Sequence, residues 1–313
     1  MGRGKLAKTF KGDTGSYEVK YHTPVLLQEV IKILDPKPGK EFIDATIGGG
    51  GHTFELLRYG ARVLGIDRDP EALDYVNKKC QMSNVKYQIG EDLILAQGNF
   101  ANIGRVAKDN EFSQVNGIIF DLGVSGHQIE KVERGFSFTK EGPLDMRMDP
   151  GLTVRAYDIV NNFDKRRLDE IFKTYGQEKH SWAISKAIVS AREIKPIETT
   201  FELADIVKKA LLNRGERRKI NPATKAFQAL RIVVNSELLN LEETLPQTVE
   251  LLKKGGRLAT ISFHSLEDRI VKRFFKQETR LKVLTKKPIG PGNQEVLDNP
   301  RARSAKLRAA EKI

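Results

Sequence analysis

Short apolar blocks, separated by glycine-rich or polar turns, dominate the first 124 residues of the chain. The last of these blocks is apolar throughout, as in a strand that is buried on both faces of a sheet. The segments between the blocks, HTFELLRYG and PEALDYVNKKC, have the spacing of amphipathic helices. Strands that alternate with helices predict a parallel, doubly wound α/β sheet. The blocks expected as strands are EFIDATIG, ARVLGIDRDP and NGIIFDLGV.

Two less distinct segments belong to the same half of the chain. Thr23 and Pro24 are expected to begin a helix, because a hydroxyl cap followed by proline is a common helix start. The block VKYQIG (85–90) is expected to form a third strand.

The alternation stops after residue 124, and the pattern from about residue 140 to 230 is helical. GGRLATISF (255–263) again has the composition of a strand, and two C-terminal segments, LKVLTKKP and SAKLRAAEKI, are expected to close the sheet. The helical stretch would thus be inserted between two neighbouring strands, and about 90 residues are enough for a domain.

This pattern predicts three parts of the chain. Residues 1–20 are expected to form a flexible basic tail, and residues 140–230 an inserted all-helical domain. Residues 21–139 and 231–313 together would form the sheet domain.

The composition is that of a globular protein with a basic surface. Hydrophobic residues make up 39% of the chain and charged residues 30%. An excess of 53 Lys and Arg over 41 Asp and Glu leaves a net charge of +12. This charge suits a polyanionic partner such as a nucleic acid, but a basic, solvated surface is an equally open interpretation.

Cysteine content and hydropathy limit the location and the kinds of site. Cys80 is the only cysteine, so the chain has no internal disulfide, and a thiolate zinc site is not expected. No apolar run approaches the roughly 20 residues of a membrane span, and the basic N-terminus lacks the apolar core of a secretory signal. We therefore expect a cytoplasmic protein with no metal site and no membrane partner.

The segment DATIGGGGHT (44–53) places four glycines directly after the first strand. Ligands of such sheets bind at the carboxyl ends of the strands, where glycine lets the backbone approach them. Asp67 ends the second strand about 20 residues later, the place of an acid that binds ribose hydroxyls. An adenosine-containing cofactor is therefore expected. The turn lacks the third glycine of a dinucleotide fingerprint and the Gly-Lys-Ser/Thr of a Walker loop, which favours S-adenosylmethionine over NAD.

A long series of motifs in a fixed order resembles the bacterial MraW family, the small-subunit ribosomal RNA (cytosine-N4)-methyltransferases. The resemblance runs from about residue 21 to residue 313. Its landmarks are YHTPVLLQEV, DATIGGGGHT, GIDRDPEAL, IIFDLGVS, GPLDMRMDP, PATKAFQALRIVVNSEL, GGRLATISFHSLEDRIVKRFF and NPRARSAKLRAAE. The resemblance implies a class I (Rossmann-like) methyltransferase fold whose inserted helical domain recognises the substrate.

The same resemblance implies an activity. The family transfers a methyl group from S-adenosylmethionine to the exocyclic N4 amine of a cytidine in the decoding region of 16S ribosomal RNA. The expected partner is thus 16S ribosomal RNA or the small ribosomal subunit. A monomer and a homodimer both remain open.

The resemblance also implies a set of cofactor contacts. His52 would lie at a helix start, where backbone N–H groups suit the cofactor's carboxylate, although an ordinary N-terminal helix residue is the alternative. This chain has Gly126-His127 where the family commonly has Ser-Pro, so the loop before Gln128 is expected to be more flexible. The implied contacts are Gly50, Gly51, His52, Asp67, Phe100, Asp121 and Gln128.

Methylation of cytosine N4 requires an acceptor for a hydrogen bond from the amine, because the nitrogen lone pair is conjugated with the ring. Asp145, in GPLDMRMDP, is the expected acceptor, and Arg147 is expected to bind a phosphate or carboxylate. His264, in ISFHSLEDR, is expected to bind the base or to orient Asp145. A surface loop held by salt bridges is the alternative for the first motif.

The target base also needs a stacking partner. DNA amine methyltransferases have Asp/Asn-Pro-Pro-aromatic after the fourth strand, whereas this chain has Asp121-Leu122-Gly123-Val124. A stacking ring must therefore come from elsewhere in the chain. The candidates are Phe136, Phe138, Phe263 and His264, whereas Ser265 is expected to cap the following helix.

Three basic clusters, at residues 165–167, 213–225 and 299–308, are expected to contact RNA phosphates or to be solvated faces. Two other functions remain open on the sequence: an NAD-dependent oxidoreductase, and a catalytically silent RNA-binding or assembly factor.

Overall fold

The computed structural model describes residues 24–82, 87–212 and 221–313. The expected basic tail, the expected cap Thr23 and residues 213–220 of one basic cluster lie outside the described residues.

A seven-stranded sheet with the order β3-β2-β1-β4-β5-β7-β6 forms the centre of the protein. The first five strands pair in parallel, and β7 is antiparallel to both of its neighbours. This topology confirms the expected doubly wound, mostly parallel Rossmann-like sheet. The strands are β1 Glu41–Asp44, β2 Arg62–Asp67, β3 Leu93–Gln97, β4 Val115–Asp121, β5 Leu252–Ser262, β6 Leu281–Val283 and β7 Lys306–Lys312.

Helices follow most strands and also fill the long segment between β4 and β5. The helices of the sheet region are α1 Leu27–Leu34, α2 Gly51–Arg58, α3 Pro70–Met82, α4 Ile103–Asp109, α5 Gly126–Glu130, α11 Glu237–Leu251, α12 Ser265–Gln277 and α13 Asn293–Asp298. The helices between α5 and α11 are α6 Ala156–Asn162, α7 Lys165–Thr174, α8 Ser181–Arg192, α9 Thr200–Leu212 and α10 Ala223–Val234.

Both faces of the sheet are buried, which explains the continuous apolar run of β4. Ile118 and Phe120 belong to the hydrophobic cluster on one face, and Ile119 belongs to the cluster on the other. Successive side chains of a strand point to opposite faces, so a strand covered on both sides needs apolar residues at every position.

A third hydrophobic cluster contains residues between Leu144 and Val234, and it lies outside the two sheet clusters. The segment leaves the sheet after β4 and returns at β5, which is the strand beside β4. Ser236, with a φ of 49°, separates α10 from α11. This break lets α10 pack in the helical cluster while Leu241 and Leu245 of α11 pack against the sheet.

Two expected elements are placed differently. α1 begins at Leu27 rather than Pro24, because Leu26 has a left-handed backbone (φ 54°) and its N–H donates to Glu295. The strand expected at 85–90 is wrong: its described part forms a turn, in which the N–H of Asp92 donates to the carbonyl of Gln88. Leu93–Gln97 forms β3 instead.

Candidate active site

A cleft of about 1010 Å³, including the part open to solvent, lies at the carboxyl ends of β1, β2, β4 and β5. Loops after parallel strands meet at this edge, where ligands of such sheets bind. Six of the seven predicted cofactor residues line it: Gly51, His52, Asp67, Phe100, Asp121 and Gln128.

The glycine turn after β1 provides the bare wall of the cleft. Gly48 and Gly50 have φ values of 47° and 74°, which favour glycine. A Cβ on Gly51 would lie 2.8 Å from the Cβ of Pro24, so the start of α2 is also crowded. Gly50 does not line the cleft, because its open side faces the Phe54 ring, 2.6 Å from the position of a Cβ. The implied contact of Gly50 with the cofactor is therefore not supported, and its role is to turn the backbone.

Asp67 is held firmly at the end of β2. Its carboxylate accepts hydrogen bonds from the N–H groups of Gly48 (2.9 Å) and Asp69 (2.9 Å). Burial raises the pKa of Asp67, although these two N–H groups oppose the rise. The adjoining Arg68 also lines the cleft, where its guanidinium lies 5.4 Å from the centre of the Phe100 ring.

Asp121, at the end of β4, has an unsatisfied carboxyl group. Its Oδ1 atom is buried without a hydrogen-bond partner among the described residues, and Oδ2 lies 3.8 Å from His52 Nδ1. Burial, followed by the charges of Asp44 and Glu267, raises the pKa of Asp121 well above its usual value. The cleft thus contains a buried carboxyl group that a cationic ligand would stabilise in its ionised form.

Gln128 has hydrogen bonds on both sides of its side chain amide. Its side chain and that of Ser125 form a reciprocal capping box at the start of α5, and its amide donates to Asp69 (2.8 Å). His127 contacts Glu71 at 3.0 Å. The greater flexibility expected for this loop stays a prediction, and the structure shows that the histidine at this position contacts α3 through Glu71.

The catalytic prediction for Asp145 is not supported by its position. Asp145 does not line the cleft, and both of its carboxylate oxygens accept hydrogen bonds from Arg147, at 2.9 and 2.7 Å. Arg147 also donates to the carbonyls of Pro150 and Leu152. Its expected phosphate contact is not supported either, because the guanidinium is already engaged within the loop. The structure shows the alternative that the sequence analysis left open, which is a loop held by a salt bridge.

The loop nevertheless reaches the cleft through Met148. Asn235 holds the loop in place, because its side chain accepts from the Met148 N–H and donates to the Met146 carbonyl, both at 2.7 Å. Arg134 donates to the Met148 carbonyl and pairs with Asp69 at 2.9 Å. The helical segment and the loop after β2 are therefore joined beside the cleft.

His264 lies behind the cleft wall and caps α12, the role expected for Ser265. Its Nδ1 atom accepts from the N–H of Glu267 (3.4 Å), and its Nε2 atom lies 3.2 Å from a Glu267 carboxylate oxygen. The predicted contact with Asp145 is absent among its described partners. Glu267 itself lines the cleft, as does Glu237, which is paired with Arg231 at 2.8 and 2.9 Å.

Donor atoms of Glu237, His264 and Glu267 lie within 4.8 Å of one another. Both carboxylate oxygens of Glu237 accept from Arg231, so these residues form an ion-pair network in the structure.

Of the candidate stacking rings, Phe263 alone lines the cleft. Phe136 and Phe138 pack against the helical cluster, where Phe138 meets Phe227 edge to face at 5.1 Å. The Phe263 ring lies over Gly123, whose added Cβ would be 3.5 Å from it. Gly123 has a φ of 101°, a conformation that glycine allows.

Residues 19–313 match the model of the MraW methylase family. The chain belongs to the MraW methylase family. Relatives named "Ribosomal RNA small subunit methyltransferase H", from Carboxydothermus hydrogenoformans, Persephonella marina and Deinococcus radiodurans, are 45%, 46% and 47% identical to it. The matches cover 93% of this chain and 98%, 99% and 89% of those relatives. The resemblance stated from the motifs is confirmed, and this member of the MraW methylase family is a methyltransferase.

The sequence reasoning missed several residues that build the site of this MraW family member. Arg68, Glu237 and Glu267 line the cleft, and Asn235 holds its wall. Their only signal in the sequence is that each lies within a quoted motif: GIDRDPEAL, PATKAFQALRIVVNSEL or GGRLATISFHSLEDRIVKRFF.

No helix among the described residues has both the length and the apolar character to cross a membrane.

Proposed function

We propose that this protein transfers the methyl group of S-adenosylmethionine to the exocyclic N4 amine of a cytidine in the decoding region of 16S ribosomal RNA. The observation that carries the proposal is the cleft, in which a bare glycine turn, an anchored Asp67 and an unsatisfied Asp121 meet. Membership of a methylase family supplies the reaction class. The cofactor contributes an electrophilic methyl group on a sulfonium, and the chain's residues bind and orient the two reactants.

The cofactor residues have separable tasks. Asp67 receives the ribose hydroxyls, because its carboxylate is already fixed by two backbone N–H groups. Phe100 offers an apolar surface to the adenine, and Gly51 and His52 at the first turn of α2 receive the carboxylate. Asp121 supplies negative charge near the cationic part of the cofactor, and Gln128 closes the wall. Such fixed groups raise the rate by holding the amine and the methyl carbon at reacting distance.

We further propose that the helical insertion recognises the RNA. Trp182 of α8 is 49% exposed, and the Lys165 ammonium lies 4.3 Å from the centre of its ring. Exposed aromatic rings stack on bases and neighbouring cations pair with phosphates, so this pair suits a single-stranded segment of RNA. The cluster at 299–308 suits this role less well, because Arg308 is buried and paired with Asp268. The reaction would take place in the cytoplasm, on 16S RNA or on the assembled small subunit.

The test is methylation of small ribosomal subunits, or of free 16S RNA, that lack the modification. Enzyme and methyl-labelled S-adenosylmethionine should give labelled N4-methylcytidine on digestion of the RNA, and Asp67→Ala should abolish the label by preventing cofactor binding. Label on another nucleoside alone would contradict the proposal. Calorimetric titration with NAD and with S-adenosylmethionine separates this function from an oxidoreductase, since only the second ligand should bind.

A further inference from the structure

One end of the cleft contains two acidic side chains from neighbouring strands. Asp121 ends β4, and Glu267 lies in the first turn of α12, directly after β5. We propose that Glu267 accepts the hydrogen bond from the N4 amine of the target cytosine. The inference rests on the proposed function, because it names the amine acceptor of that same site.

Glu267 is a fixed acceptor on the cleft wall. One oxygen, Oε2, accepts from the N–H groups of Phe263 (2.8 Å) and His264 (3.3 Å). The other, Oε1, has one described contact, with His264 Nε2 at 3.2 Å. Oε1 is thus the oxygen left to meet a ligand, and its direction is set by the bonds that hold Oε2.

The charge of Glu267 also suits this role. Burial raises its pKa, but the contact with His264, the charge of Arg231 and the N–H of Phe263 outweigh burial and hold the pKa below its usual value. The carboxylate is therefore ionised when the amine arrives. The pKa of Asp121 moves in the opposite direction, so the two acids have different tasks in one cleft.

The other acids near this end of the cleft are less suitable. Both oxygens of Glu237 already accept from Arg231. Asp145 does not line the cleft, and both of its oxygens accept from Arg147. Asp121 lies beside His52 at the glycine turn, where it serves the cofactor.

Phe263 links the acceptor to a stacking surface. Its ring lines the cleft above Gly123, and its own N–H binds Glu267. A base stacked on this ring would present its edge to an acceptor that the same residue holds in place. A carboxylate there favours the amine of cytosine over the O4 carbonyl of uracil, because two acceptors facing each other repel.

The chemical step balances within this arrangement. The N4 lone pair forms the N–CH₃ bond while the S–CH₃ bond breaks, and the electron pair of that bond stays on sulfur. One N4 proton leaves as the amine becomes methylated, and the Glu267 carboxylate accepts it before releasing it to water. The hydrogen bond to Glu267 concentrates electron density on nitrogen before the attack.

The test is single-turnover methylation of unmodified small subunits, with enzyme in excess and cofactor saturating. Glu267→Gln should slow turnover by about 100-fold or more, the loss typical of one electrostatic contact made in the transition state, while the dissociation constant for S-adenosylmethionine changes by less than about threefold. Glu267→Asp, which keeps the charge one methylene further away, should recover part of the rate. Glu242→Gln, at a half-exposed ion pair with Arg273, is the matched control and should keep the wild-type rate.

A wild-type rate in Glu267→Gln would overturn the inference, because Asp121 would then be the acid that the reaction requires. Absence of N4-methylcytidine with the wild-type enzyme would instead refute the proposed function. Since Glu267 also binds two backbone N–H groups, a structure of the wild-type chain with S-adenosylhomocysteine and cytidine provides a second measurement. The amine should lie within about 3.2 Å of Glu267 Oε1, and contact with another acid in its place would refute the assignment.

Discussion

Replacement of Asp44 by asparagine should stabilise the protein above pH 6, although it removes no steric strain. Asp44 ends β1 and is 2% exposed. Its carboxyl group accepts from the Thr53 hydroxyl (2.7 Å) and from the Thr46 N–H (3.2 Å). An asparagine amide preserves both contacts, because its oxygen accepts from Thr46 and its NH₂ group donates to the Thr53 hydroxyl. The substitution therefore removes mainly the buried charge.

The magnitude follows from the pKa of Asp44. Burial raises this pKa from 3.8 to about 6, against the opposing bonds from Thr53 and Thr46, and the nearby charge of Asp67 adds to the rise. A carboxyl group whose folded pKa exceeds its unfolded pKa destabilises the folded state progressively as pH rises from the lower value through the higher one. The difference corresponds to about 3 kcal/mol at pH 8 and about 1 kcal/mol at pH 4.5.

Urea unfolding of the wild type and of Asp44→Asn at these two pH values measures the effect. The gain in free energy of unfolding should be about 2 kcal/mol larger at pH 8 than at pH 4.5. Any pH-independent cost of the amide cancels in this difference. Asp74→Asn, at a side chain that is 58% exposed, controls for the substitution itself and should show no such difference. An equal effect at both pH values, or a larger gain at the lower pH, would refute the reasoning.

Three further predictions concern the cleft and the helical insertion. S-adenosylmethionine should bind with release of protons and more tightly as pH rises, because a cation lowers the raised pKa of Asp121. Calorimetry in buffers of different ionisation enthalpy measures this proton release, and Asp121→Asn should abolish it. Asn235→Ala should lower the free energy of urea unfolding by about 2–4 kcal/mol, since the Met148 N–H and Met146 carbonyl lose their partners; a change below about 0.5 kcal/mol would contradict this. Trp182→Ala should weaken RNA binding by about 1–3 kcal/mol in a filter-binding titration, and Lys165→Ala should reduce the salt dependence by about one charge; unchanged affinity in both would remove this surface from the RNA site.

The sheet and the two acids at its edge were predictable because their determinants are local. A strand that is buried on both faces, such as β4, must be apolar at consecutive positions, and an acid directly after it must lie at the carboxyl edge. Asp67 was found in this way, and the cofactor contact of Asp121 was implied by the family resemblance. β3 was missed because only Leu93 among its five residues is fully buried, so it lacks this signal.

The partners of charged residues were not predictable from spacing. Asp145 and Arg147 were each predicted to contact the substrate. They are only two residues apart in the loop, and the structure shows that they pair with each other instead. Glu267 was missed because its importance depends on the pairing of β4 with β5, which places Asp121 beside Ile261. Residues 140 positions apart along the chain thus form one wall, and no local pattern reports that.

The position of the helical insertion follows from the same pairing and explains why the site depends on it. The chain leaves the sheet just after Asp121, and the helical insertion ends at Glu237, at the start of α11, so both ends of the excursion are at the cleft. Asn235 and Arg134 fasten the Met148 loop to these ends, and Arg68 donates to the Asn235 carbonyl from the cofactor side. RNA binding to the helices would therefore be coupled to the cofactor-binding wall directly, through these hydrogen bonds. Coupling of this kind requires that Asn235→Ala lower cofactor affinity as well as stability, although Asn235 does not line the cleft.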